Sequence, residues 1–253
     1  MLTKAIILKK QNTNEYDQWV ICYTEELGKL KAVAKSILKP SSVQALHLDV
    51  FNLVEFELIS GRGMPIITGA QTANSYVGVK SSVIKTAVAY FFIEALDRMV
   101  LENDKDEKLW FFLVSFLGEL DKDNSNSLTL LCRGQARLLD ILGYFPETSS
   151  CKTCDDNLDN DSFGAFNYNL GGIVCKKCFL TGYGGILMSQ NDFDLIRRRG
   201  NNEENKYYTT FSKKQRCPLL EFGGVYSKSI LDGMFEYISG GKFYSLELLN
   251  MVG

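Results

Sequence analysis

The chain has 253 residues but a single histidine, His47, and no glycine-rich phosphate loop or dinucleotide fingerprint. With one imidazole, catalysis built on paired histidines or a histidine-activated nucleophile has little to work with, and a lone histidine in QALHLDVF reads as structural. The glycine pairs at 171, 184, 223 and 240 lack the strand-to-helix setting that phosphate or dinucleotide motifs require. No enzyme activity is therefore expected, and no small-molecule substrate. An apolar run of the roughly 18 residues needed to cross a bilayer is missing, as is a signal-peptide pattern. The expected location is cytoplasmic, with no membrane partner. Large charge of one sign is absent too: 28 basic residues stand against 30 acidic ones, a net of −2, which selects no partner class. By segment, residues 1–80 carry nine Lys and Arg against seven Asp and Glu, and residues 81–150 carry seven against eleven. An anion-binding face is expected at the amino end.

Seven cysteines are present, and four of them are in metal spacing: Cys151 and Cys154 in CKTC, Cys175 and Cys178 in CKKC. Two such knuckles separated by a short spacer supply the four thiolates that a structural Zn(II) prefers, with no position left for water. One structural Zn2+ is expected here. Redox pairs or unrelated buried thiols are the alternative, but thioredoxin-type C-x-x-C normally stands alone at the start of a helix. Between the knuckles, FGAFNYNLGGIVC alternates aromatic and turn residues as a short hairpin does, and Gly171 and Gly172 permit a tight turn before the second knuckle. The scattered cysteines, Cys22, Cys132 and Cys217, fit a reducing compartment better than a disulfide framework.

The first 76 or so residues read as five short strands: TKAIILKK, QWVICYT, KLKAVAKS, DVFNLVEFELIS and PIITGAQT, separated by turn signals. In the fourth, Val50, Val54, Phe56 and Leu58 share one face and Glu55 and Glu57 the other. Five strands in this length match a small OB-type β-barrel, or an SH3-like one. An OB barrel makes nucleic acid the leading ligand. Lys29, Lys31 and Lys35 recur on one face of the third strand, Lys39 follows, and Arg62 sits in a Gly-Arg-Gly turn. With Lys9 and Lys10 these are the candidate phosphate contacts, with Trp19 and Tyr23 as candidate stacking platforms.

From about residue 81 the apolar period becomes helical. SSVIKTAVAYFFIEALDRMVL runs without a breaker, Asp104 and Glu107 offer a capping box for a second helix, and a third stripe ends at Gly143 with Pro146 beyond. Cys132, on that stripe, reads as a core residue. SQNDFDLIRRRG, SKSILDGMFEYISGG and SLELLNMV add three more helices. The expected architecture is α+β: an OB domain over 1–78, a helical domain over 79–148 and 185–253, and a zinc-binding insertion over 149–184.

Taken together, NTNEYDQWVICYTEELGKLKAVAKS, the GRG turn, QARLLDILGYFPETSSCKTC, GAFNYNLGGIVCKKC and YISGGKFYSLELL resemble, in order and spacing, the bacterial recombination mediators of the RecO family. The resemblance covers almost the whole chain. It implies a non-enzymatic protein of DNA repair and recombination that binds single- and double-stranded DNA and anneals complementary strands. With the partner RecR, such a protein helps load recombinase onto strands coated by single-strand-binding protein. The chain departs from the family pattern in having only Lys39 as a basic residue in SILKPSSVQ, and no positive charge in FYSLELL. Arg133 and Arg137, four apart on one helix side, are candidate receptors for an acidic peptide such as the tail of single-strand-binding protein. Arg197 to Arg199 are another option. Two readings of other classes stand beside this one: an OB and zinc-ribbon adaptor for RNA or ribosomes, and a protein-only scaffold.

Overall fold

The computed structural model describes residues 1–61, 63–122, 127–190, 192–194, 196 and 229–252. The chain divides into two compact units, Met1–Ser125 and Asn126–Gly253.

In the first unit, alternation of apolar and polar residues produces five strands: β1 (Leu2–Asn12), β2 (Gln18–Thr24), β3 (Gly28–Ala34), β4 (Leu53–Ile59) and β5 (Ile66–Asn74). They close into a barrel in the order β1-β2-β3-β5-β4. Closure is antiparallel except for a short parallel pairing between β3 and β5, where Val33 and Ala34 face Ile66 and Ile67. That order is the OB-type arrangement, and it removes the SH3-like alternative. Small and branched residues fill the interior, among them Ala5, Ile7, Cys22, Ala32, Ala34, Val54 and Phe56, as a narrow barrel requires. The fourth strand starts only at Leu53, so Val50 lies outside it, while Val54, Phe56 and Leu58 face inward as expected.

Three helices follow in the same unit: α1 (Val77–Lys80), α2 (Val83–Met99) and α3 (Glu107–Lys122). Ser82 caps α2 by accepting the Lys85 N–H. Asp106, not Asp104, caps α3, its Oδ1 accepting the N–H groups of Lys108 at 2.7 Å and Leu109 at 3.2 Å. The two long helices meet through rings, with Phe92 and Phe116 centroids 4.1 Å apart. Tyr23, offered above as a stacking platform, is instead fully buried. Its hydroxyl accepts the Asp106 N–H at 3.0 Å, and burial pushes its pKa up to about 12.

The second unit contains α4 (Ser127–Ile141), a three-stranded sheet and further helical segments. Leu131, Cys132, Gln135, Leu138 and Leu139 are buried on α4 as the stripe predicts, and Gly143 ends it with φ 76°. Cys132 is a fully buried core residue, as expected, but it is disulfide-bonded, against the expectation that the scattered cysteines are reduced. Strands β6 (Phe163–Asn167) and β7 (Gly172–Cys175) form the expected hairpin, and β8 (Ile186–Leu187) adds to β6. Helical turn α5 (Lys176–Cys178) carries the second knuckle. Helix α6 (Ile230–Ser239) opens on a capping box between Ser229 and Asp232 and ends at Gly240, and α7 (Tyr244–Val252) follows. The helix expected over 189–200 is helical at its described residues 190, 192–194 and 196, and the rest of it, Arg197 to Arg199 included, lies outside them. So does Cys217.

The hairpin tip is seated on α6. Tyr168 donates to the Ile230 carbonyl at 3.3 Å, and Tyr237 donates to Asn169 Oδ1 at 2.9 Å. The Tyr168 hydroxyl fills the space that a Cβ on Gly233 would need, so the tip occupies a notch left by that missing side chain. Beneath it, Gln135 donates to the fully buried Asp232 carboxylate at 2.5 Å.

Candidate metal centre and nucleic-acid interface

The metal centre is assembled by two local turns. At the first, the Asp155 N–H returns to the Cys151 carbonyl at 3.0 Å, with Asp155 at φ 60°. This knuckle is sewn to the hairpin by Lys152 N–H donating to the Ile173 carbonyl at 2.9 Å. At the second, Cys175 ends β7 and its Sγ accepts the Cys178 N–H at 3.5 Å, while the Cys175 N–H points to Cys151 Sγ at 3.3 Å. All four sulfurs lie within 4.8 Å of one another, and Cys154 and Cys175 Sγ are 3.8 Å apart. A tetrahedral site with metal–sulfur bonds of about 2.3 Å has edges of about 3.8 Å, so the cluster has the size and the soft donors to hold a metal ion.

Electrostatics agree with that fit. Burial opposes ionisation of Cys151, but N–H donation from Cys175, Cys154 and Thr153 and the Cys154 thiol outweigh it and bring its pKa down to about 6. Cys178 is pushed up to about 12, first by burial and then by the neighbouring thiols. One thiolate forms readily, and Cys154 and Cys178 resist following it. A divalent cation at the centre removes that resistance.

The basic candidates separate sharply. Lys29 is 7% exposed, and its ammonium donates to the carbonyls of Asp97 at 2.5 Å, Val100 at 3.0 Å and Leu96 at 3.4 Å. These carbonyls lie at and just past the end of α2, and Leu96 O also accepts the Val100 N–H at 3.2 Å, so Lys29 caps a helix C-terminus. It is withdrawn as a phosphate contact. Lys10 is held by Asp49 at 3.1 Å, and Lys9 lies 3.8 Å from Asp97. Arg62 lies outside the described residues.

Lys31, Lys35 and Lys39 gather elsewhere, near the β1–β2 loop. Lys31 Nζ stands 3.5 Å over the Trp19 ring, and Lys39 Nζ stands 5.2 Å over Tyr16. Lys35 and Lys39 are exposed, as is Tyr16. Asp17 ties this corner together: it accepts from Asn14 at 3.0 Å and from the Ser36 N–H at 2.6 Å. The Asn14 and Ser36 donors, with Lys35 and Lys39 nearby, hold its carboxyl below the usual range. Tyr16 escapes a reading of the sequence because a loop tyrosine carries no period; its only signal is its place in NTNEYDQW between turn residues and the second strand. The β2–β3 face and β1–β2 loop are where OB barrels receive oligonucleotides.

Arg133 and Arg137 both lie on α4 and are half-buried, and Arg137 pairs with Asp140 at 3.2 Å. His47 Nδ1 accepts the Thr72 N–H at 3.2 Å, which fixes the ring on the barrel. Among the described residues no helix is long and apolar enough to cross a membrane.

Comparison with known proteins agrees with this architecture. The family model "Recombination protein O N terminal" matches residues 1–76, and "Recombination protein O C terminal" matches residues 80–222. A DNA repair protein RecO of Dehalococcoides mccartyi strain 195 is 30% identical over 81% of this chain and 80% of its own length. Its counterpart in strain BAV1 is 31% identical over 77% of this chain and 76% of its own. The DNA repair protein RecO of Symbiobacterium thermophilum is 26% identical over 77% of each. With both halves matched in order on an OB-type barrel and a four-cysteine helical unit, the chain belongs to the recombination protein O family, a family of DNA repair and recombination.

Proposed function

We propose that this protein is a non-enzymatic mediator of recombinational DNA repair. It binds single- and double-stranded DNA on the barrel, anneals complementary strands and, with RecR, helps load recombinase onto strands coated by single-strand-binding protein. The observation that carries the DNA-binding part is the corner where Lys31 and Lys39 stand over Trp19 and Tyr16 with Lys35 beside them. Aromatic faces accept stacked bases of any sequence, and the ammonium groups neutralise phosphates. Affinity then falls steeply with salt and depends little on sequence. Annealing follows because two strands on one basic surface repel each other less. Arg133 and Arg137 receive the acidic tail of single-strand-binding protein in this reading.

Zn2+ is the metal that suits four thiolates, held by Cys151, Cys154, Cys175 and Cys178. When bound it supplies cross-linking of the two knuckles and no reaction chemistry. The protein works in the cytoplasm.

The test is annealing of complementary strands coated with their cognate single-strand-binding protein, across a salt series. Acceleration that fades with salt, and that is lost in a Lys31/Lys35/Lys39→Ala variant of wild-type stability, supports the reading. Folded, metal-loaded protein that gives no acceleration at low salt overturns it. Tighter binding to RNA than to DNA of the same sequence moves the assignment to an RNA adaptor.

A further inference from the structure

The four sulfurs are not equivalent. Cys151 and Cys175 are buried, at 0% and 4% exposure, whereas Cys154 is exposed and Cys178 half-buried. Cys154 Sγ is 3.8 Å from Cys175 Sγ on the opposite knuckle. An exposed metal-bound thiolate keeps nucleophilic character, and a second sulfur touching it can resolve the product of its oxidation. The hairpin that carries Cys175 is the element whose tip, through Tyr168 and Asn169, is seated on α6.

We propose that the centre is an oxidation-sensitive clasp, in which hydrogen peroxide enters at Cys154, joins it to Cys175 and expels the metal, freeing the hairpin from α6. This rests on the metal assignment made above. In the first step the Cys154 thiolate attacks one peroxide oxygen, the O–O bond breaks, and a sulfenic acid and hydroxide form. In the second, the Cys175 thiolate attacks the sulfenic sulfur, an S–S bond forms and a second hydroxide leaves. Two protons from solvent turn the hydroxides into water. Sulfur loses two electrons and peroxide gains them. Cys151 and Cys178 alone are too few ligands to retain the ion. Access decides the order of events: peroxide reaches Cys154 from solvent, and the buried Cys175 acts only as the resolving thiol.

The experiment uses full-length protein as purified. Its zinc is first measured by elemental analysis. Hydrogen peroxide is then added while released zinc is followed with a chelating dye, and the cross-linked peptides are mapped by mass spectrometry. Hydrogen exchange of residues 230–239 is compared before and after. Stoichiometric zinc release, a Cys154–Cys175 peptide and faster exchange in α6 are expected. A Cys154→His variant, which keeps a metal-binding side chain without a thiol, should lose zinc at least tenfold more slowly. If that variant binds no metal, the wild-type release and peptide map decide. Absence of zinc at the start overturns the metal assignment and this inference together. Zinc-loaded protein that resists peroxide, or a disulfide lacking Cys154, overturns this inference alone. Zinc release with no change in α6 exchange overturns its coupling to the helix.

Discussion

The barrel and the four-cysteine hairpin are both small β-structures, but they are held together differently. The barrel closes on itself and buries a continuous interior, from Ala5 and Ile7 through Val54 and Phe56 to Ile67. The hairpin has two strands of five and four residues and a two-residue third strand, too little to stand alone. Its strands are buried along most of their length, with Phe163 stacked on Phe193, and they are pinned by four sulfurs at one end and by the seat of Tyr168 on α6 at the other. Burial spread over many side chains tolerates the loss of one; a metal site that depends on four sulfur atoms would not.

Metal removal should separate the two most strongly. Structural zinc in thiolate sites contributes an apparent ~10–16 kcal/mol to folding. Chelation, or Cys151→Ser, should therefore abolish exchange protection over 151–187 and leave the barrel amides protected. Uniform loss across both units would break the comparison.

Phe56→Ala addresses the other side. Phe56 is 1% exposed in the barrel core, and deleting such a ring costs about 3–5 kcal/mol. The first unit should melt earlier while the zinc content stays at the wild-type value.

Within the barrel, Lys29 and Lys31 should behave oppositely. Lys29→Met removes a donor from the Asp97 and Val100 carbonyls at the end of α2 and costs about 1–3 kcal/mol, with little change in DNA affinity at temperatures where the variant is folded. Lys31→Ala should move the melting point by less than about 0.5 kcal/mol equivalent. It should weaken binding to single strands and make the slope of log affinity against log salt shallower by roughly 0.7 for each phosphate it no longer neutralises. Denaturant titration paired with fluorescence anisotropy measures both, and an equal stability loss in the two variants would end the distinction.

The smallest effect concerns pH. Asp17 is half-buried, and its folded pKa is depressed by Asn14 and Ser36. Its contribution is present above the ordinary carboxylate range and disappears as pH falls through and below it. The protection factor of the Ser36 amide, its exchange relative to the intrinsic rate at each pH, should fall in acid, and Asp17→Asn should remove that dependence.

Much of this was legible because it is local. Alternation over β1 to β5 reflects faces of a sheet, and two C-x2-C knuckles encode a ligand set in the spacing itself. The fate of Lys29 was not legible: in sequence it is one of several lysines along the third strand, and only the end of α2, arriving from distant residues, makes it different. The parallel closure of β3 on β5 spans only two residue pairs and leaves no pattern to read. Tyr16 and the seat of Tyr168 are likewise set by which surfaces meet, a property of the folded chain.

Gly233 shows where such a meeting becomes a constraint. Alanine there would favour the helix itself, by up to about 1 kcal/mol, yet its methyl group would claim the space of the Tyr168 hydroxyl. The joint is keyed like a lock: one added carbon strengthens α6 and at the same time pushes the Tyr168 ring off its seat. Helix stability and the fit of the hairpin tip are therefore opposed at this position, by a change that touches no cysteine.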